Sequence, residues 1–114
     1  MMSDETSWYV LVEEEAMGDE FRLSRVLHVE GNAERAREKA LEVAKEYDPF
    51  RAFKGPRTTF RIGADSFMTV LTHDGWRNMR FRVTVAELIH TEEYVEPPAP
   101  DEEKGGRGIF RKRK

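Results

Sequence analysis

Phe67-Met68-Thr69-Val70-Leu71-Thr72-His73-Asp74-Gly75-Trp76-Arg77-Asn78-Met79-Arg80-Phe81-Arg82-Val83-Thr84-Val85 is the stretch on which the fold turns. Two β-rich segments, 67–72 and 78–85, flank an Asp-Gly pair, which suits the positive-φ positions of a tight hairpin turn. The stretch reads as a hairpin. With Asp74 and Gly75 as a two-residue loop, counting outward places Val70 opposite Met79, Thr69 opposite Arg80, Met68 opposite Phe81 and Phe67 opposite Arg82. Side chains alternate across a strand, so Met79, Phe81, Val83 and Val85 share one apolar face. Phe67, Thr69 and Leu71 then join Asn78, Arg80, Arg82 and Thr84 on the other. That mixed face is the expected partner-binding surface, carried by Phe67, Thr69, Leu71, Arg80 and Arg82, with Val26 or Leu88 expected on the same side.

Upstream, Trp8-Tyr9-Val10-Leu11-Val12 is a second β-rich run, connected through residues 16–20 to a strand from Phe21 to Val29. In that strand Phe21, Leu23, Leu27 and Val29 are expected on one side. Arg25 interrupts them, which fits an edge strand whose arginine lays its stem on the sheet, with a strand irregularity as the alternative. Gly31-Asn32 then opens a helix at Ala33, Asn32 capping its first free amides and Glu34 lying near its positive end. Ala36, Ala40, Val43, Ala44 and Tyr47 form one stripe, small enough to lie close on a sheet. Asp48-Pro49 ends the helix, because proline disfavours helical geometry in the residue before it. At about 1.5 Å per residue the helix recrosses a sheet and starts the next strand parallel to the one before it.

The expected fold is therefore α+β, a two-layer sandwich with β-β-α-β-β order and one helix on one face of a four-stranded, antiparallel-rich sheet. Orders 2-1-3-4, 1-2-4-3 and a mixed 1-2-3-4 all satisfy the strand directions. Residues 58–65 are expected to extend the third strand, with a bulge or bend at Gly63. Residues 1–96 make one domain. From Pro97 the chain turns to Pro97-Pro98-Ala99-Pro100, an acidic run, Gly105-Gly106 and the basic end Arg111-Lys112-Arg113-Lys114, read as a disordered tail.

Composition narrows the chemistry. The 114 residues are 39% hydrophobic and 36% charged, enough for one core without metal or disulfides. There is no cysteine, which removes disulfide scaffolds, thiolate metal sites and cysteine nucleophiles. Met1-Met2-Ser3-Asp4-Glu5 lacks the basic start and apolar run of a secretory leader, and no segment has the length of a membrane span. A cytoplasmic protein is expected. The net charge of −3 hides a division: residues 1–96 hold 13 basic against 19 acidic residues, and residues 97–114 hold 6 against 3. An acidic body with a basic tail is not the profile of a globally basic nucleic-acid binder.

No constellation has catalytic or metal-binding spacing. His28, His73 and His90 fall in separate segments. Glu13-Glu14-Glu15 with Asp19-Glu20 lacks calcium-loop spacing and reads as a solvated strand end. Asp65-Ser66 lacks a nucleophile elbow. A small enzyme would have no recognisable residues here, and no cofactor is expected. The segment 49–61 interleaves Arg51, Lys54, Arg57 and Arg61 with Phe50, Phe53 and Phe60 and contains no carboxylate, so it offers charge to phosphates and rings to bases. The plainer reading is that Phe50 and Phe53 cover the end of the core while the basic groups balance the acidic helix. Arg111, Lys112, Arg113 and Lys114, preceded by Ile109-Phe110, suit a polyanion, a weak contact with an anionic surface, or solvation alone. The leading expectation is a non-catalytic protein-interaction module, a homodimer through the mixed sheet face. The alternative is a nucleic-acid-binding accessory protein using residues 51–61 and the tail.

Overall fold

A computed structural model describes residues 6–16, 20–72 and 78–98. The elements are β1 (Trp8–Glu15), β2 (Phe21–Val29), α1 (Ala33–Glu46), β3 (Arg57–Gly63), β4 (Ser66–Leu71) and β5 (Met79–Glu87). The strands form one antiparallel sheet in the order β2-β1-β5-β4-β3, with α1 packed on one side. The fold is α+β, as expected, but the sheet has five strands and none of the anticipated orders. Residues 57–63 do not extend the next strand. They form their own, turn at Ala64-Asp65 and pair back with β4. Gly63 does lie at an irregularity, since the register shifts between Arg61 and Gly63.

Local chemistry explains the helix. Asn32 Oδ1 accepts a hydrogen bond from the Arg35 amide at 2.9 Å, and Gly31 before it takes φ +116°, a conformation that favours glycine. Ala36, Ala40, Val43 and Ala44 are the buried stripe. The helix stops two residues earlier than Asp48, with Tyr47 already extended at ψ 134°. One carbonyl of its last turn, Ala44 O, accepts from the buried Thr69 hydroxyl at 2.6 Å, and Thr59 Oγ1 lies 2.9 Å from Thr69 Oγ1. Thr69 spends its proton on the carbonyl, which leaves the Thr59 proton to Thr69 Oγ1 or to the same carbonyl oxygen, 3.4 Å away. Two adjacent strands thereby satisfy a helix end that would otherwise lack a partner.

The core lies between the helix and the three central strands. Val10 and Val12 come from β1, Phe67 and Leu71 from β4, and Phe81, Val83 and Val85 from β5. The most apolar strands take the middle, and the edges go to β2 and β3. The expected core face of Met79, Phe81, Val83 and Val85 is the helix side: Phe81 and Val83 are fully buried, and Met79 packs at the margin.

The hairpin register differs by one residue. Leu71 pairs with Met79, Thr69 with Phe81 and Phe67 with Val83. Phe67, Thr69 and Leu71 therefore sit under the helix, at most 2% exposed, on the opposite side of the sheet from Arg80 and Arg82. The expected partner surface is thus divided, and three of its five residues belong to the core. A two-residue turn imposes an even-numbered connection, whereas residues 72–78 between the paired ends are odd in number. The Asp74-Gly75 turn itself lies outside the described residues. Burial decides the register, because a one-residue slip would expose a Phe and a Leu, worth about 1.5–3 kcal/mol each when buried.

Candidate interaction face

Among the described residues no element covers the other side of the sheet, and alternation fixes what it presents. At the end where β5 finishes, Tyr9, Leu11, Val26, Ala86 and Leu88 line a shallow apolar concavity of about 320 Å³. Val26 is 54% exposed, and Tyr9 sets its ring 5.1 Å from that of His28. The sequence places Val26 or Leu88 on this side, and both line it. At the far edge Phe60, 51% exposed, pairs with Met68.

The opposite end of the face, along β1 and β5, is charged but neutral. Glu13 and Glu15 alternate along β1, and Arg80 and Arg82 along β5, one strand away. Arg82 Nε donates to Glu13 Oε1 at 2.9 Å. The Arg80 guanidinium donates to Glu15 Oε2 at 2.7 Å, while its backbone amide bonds Glu15 Oε1 at 3.2 Å. Phe21 lies across both arginines, its ring centroid 5.4 Å from Cζ of Arg80 and 4.6 Å from that of Arg82. The glutamate run is therefore engaged rather than a solvated strand end. Its third member, Glu14, points to the helix side and accepts from the Tyr47 hydroxyl.

Phe21 reaches this face through a bulge. The β1–β2 register shifts between Val12 and Glu13, so Leu27 and Val29 pair on the helix side while Leu23 and Phe21 pair beside Glu13 and Glu15. The expectation of all four on one side is corrected by that extra residue. Ser24 lies at the shift, and its hydroxyl sits 3.1 Å from that of Tyr47. Both readings of Arg25 hold together, since β2 is an edge strand and it is irregular.

The basic segment lies elsewhere. Arg57 and Arg61 pair with Leu71 and Phe67, on the helix side of edge strand β3, with their guanidinium carbons 6.0 Å from the Phe81 ring and 4.9 Å from the Phe67 ring. Arg51 and Lys54 are exposed on the preceding loop, where Arg51 takes φ +75°. Phe53 packs against the core as the plainer reading held, whereas Phe50 is 46% exposed. Asp48 organises the loop by accepting from the Phe50 and Phe53 amides at 2.8 and 2.7 Å. The Phe53 amide first, then that of Phe50 and the charge of Arg57, hold the Asp48 carboxyl below its usual value. A depressed carboxyl stabilises the fold above its unfolded value and loses that contribution as pH falls through the folded one. The Phe50 and Phe53 amide resonances are therefore expected to shift below about pH 4 in an NMR titration. Asp48→Asn should abolish that transition, and persistence in the variant would assign it to another group. Arg111, Lys112, Arg113 and Lys114 lie outside the described residues, as does His73.

Among the described residues no group of three or more histidine or acidic side chains is placed to hold a metal ion, and no helix is long and apolar enough to cross a membrane. Of the face's residues, sequence reasoning named Arg80, Arg82 and either Val26 or Leu88, and missed Tyr9, Leu11, Glu13, Glu15 and Phe21. The signal for those was the alternation of the first strand, legible once β1 is known to neighbour β5. No family model, no curated protein and no solved structure matches this chain.

Proposed function

We propose that the protein is a non-catalytic interaction module that pairs with a second copy of itself through the open sheet face. The observation that carries this reading is a five-stranded sheet which the described residues cover with a helix on one side, and whose other side combines an apolar end with internally neutralised charges. The edges are poorer docking sites. Each contains a register shift and two arginines, Arg22 and Arg25 on β2 and Arg57 and Arg61 on β3, devices that discourage strand addition.

A second copy suits the charge pattern. A two-fold axis along the strands, between β1 and β5, brings the glutamate row of one copy against the arginine row of the other. The overlapping strands offer a flat footprint on the order of 450–550 Å² per copy from standard strand spacings. The pair then buries roughly 900–1,100 Å², near the lower limit for a specific interface.

Val26→Glu tests the reading. It puts a charge into the apolar end at a site already half exposed, so the monomer should melt unchanged at low concentration while the dimer weakens about 30-fold or more in sedimentation equilibrium. A wild-type chain that stays monomeric at high concentration refutes the proposal. Nucleic-acid binding is the second reading, favoured by one observation: Arg51, Lys54, Arg57 and Arg61 make no ion pair among the described residues, unlike Arg80 and Arg82.

A further inference from the structure

The last described segment is conspicuous. Beyond β5 the Leu88 amide still bonds Ser7 O at 2.9 Å, and thereafter residues 88–98 run without helix or strand, every one of them exposed. Ile89 is 88% exposed, Tyr94 82% and Val95 79%, the three most exposed large apolar side chains among the described residues. Scattered exposed apolar residues are ordinary, but three within seven positions, all on a segment that touches little of its own domain, call for a surface to rest on. The segment carries Glu92, Glu93 and Glu96 and no lysine or arginine, which keeps it soluble while unattached.

We propose that residues 88–98 are an exchange arm, which lays Ile89, Tyr94 and Val95 on the apolar end of a second copy's open sheet face. The inference rests on the dimer reading and adds to it what that reading lacks. The face-to-face footprint falls slightly short of a standard interface of about 1,200–2,000 Å², and two arms make up the difference. Position supports the exchange. The arm leaves the sheet beside Leu88, which itself lines the concavity with Tyr9, Leu11 and Val26. A two-fold axis along the strands keeps both copies' arms and concavities at the same end. Extended, the segment reaches up to about 36 Å, longer than any strand it must follow. Its aromatic and β-branched residues pack well on a pleated surface, and Pro97-Pro98 stiffens its far end.

The test uses the full chain in three forms: wild type, the triple variant Ile89→Ser, Tyr94→Ser and Val95→Ser, and the groove variant Val26→Glu. All three altered arm side chains are solvent-exposed, so circular dichroism, and melting temperature at concentrations where both chains are monomeric, should match wild type. The triple variant should dimerise roughly 10- to 100-fold more weakly in sedimentation equilibrium. Mixing is decisive. An arm-variant chain keeps its groove and a groove-variant chain keeps its arm, so a heterodimer retains one intact arm contact whereas either homodimer retains none. The mixture should therefore associate more tightly than either variant alone. An unchanged dissociation constant for the triple variant, with Val26→Glu still disruptive, overturns the arm and leaves the dimer standing. No gain on mixing also overturns the exchange. A monomeric wild type overturns both proposals.

Discussion

Phe67→Glu is expected to unfold the protein rather than to release a partner. Phe67 is 2% exposed in the middle of β4, opposite Val83 and beneath the helix. Removing the ring alone costs about 3–5 kcal/mol, and a carboxylate left in its place adds an effective penalty of several kcal/mol. The Arg61 guanidinium, 4.9 Å from the ring centroid, is the nearest source of compensation, but an ion pair at that exposed edge returns only about 0–1 kcal/mol. Domains of this size have about 5–15 kcal/mol in total, so the variant loses most or all of it. Phe81→Ala gives the scale. Its buried ring, in edge contact with Tyr47 at 5.1 Å, should cost about 3–5 kcal/mol and leave a weakened but cooperative fold. Urea titrations followed by circular dichroism read both. A folded Phe67→Glu variant with an unchanged midpoint would restore Phe67 to the surface and refute the register described here.

That register shows where the sequence speaks and where it falls silent. The helix is legible because independent signals coincide: Asn32 as cap, the alanine stripe and Asp48-Pro49 as terminator. The core face of β5 is legible because Phe81, Val83 and Val85 alternate with polar residues, which leaves one phase apolar. β4 has no such contrast. Phe67, Thr69 and Leu71 alternate with Met68 and Val70, so either phase is apolar enough to be buried, and the Asp-Gly signal then chose the wrong one. Met68 and Val70 lie on the open face, beside Phe60, Thr58, Arg82 and Arg80, and their apolar side chains there erase the contrast on which sequence reasoning depends. The missed strand β3 has a related cause. Gly63 was recognised as a break, but whether a glycine bends a strand or begins its reversal depends on which neighbour it pairs with, and that contact is not local. The candidate face was half legible for the same reason. Arg80 and Arg82 follow from alternation along one strand, whereas their neutralisation by Glu15 and Glu13 is a property of the β1–β5 pairing, between residues about seventy positions apart. Arg80 and Arg82, which look available in sequence, are thus already engaged by Glu15 and Glu13 and lend the nucleic-acid reading no support.

Gly55→Ala addresses the loop that carries Arg51 and Lys54 directly and should damage it without touching the open face. A Cβ on Gly55 would lie 2.3 Å from the Thr72 carbonyl oxygen and 2.7 Å from Cζ of Phe53, both closer than real contacts allow. The ring can swing aside, but the carbonyl cannot, because it belongs to the chain at the end of β4, where the Thr72 amide donates to Pro56 O at 3.0 Å. Backbone has to move, so the substitution should lower stability by about 1–3 kcal/mol, as overpacking does, and should draw Phe53 from its place against the core. Urea denaturation measures the first effect and the Phe53 resonances the second. The two functional readings then diverge. Dimerisation through the far side of the sheet should keep its dissociation constant, since Gly55 is remote from Val26 and Tyr9. Binding of a single-stranded oligonucleotide, if it used this loop, would fall as Arg51 and Lys54 lose their positions, and would fall further with rising salt as phosphate contacts do. A variant that loses a tight, salt-sensitive oligonucleotide complex while its oligomeric state stays constant would move the function from the sheet to the loop. The neutral charge pattern of the open face and the carboxylate of Asp48 within the basic loop both favour the opposite result, a dimer that is indifferent to the substitution and an oligonucleotide bound weakly by either chain.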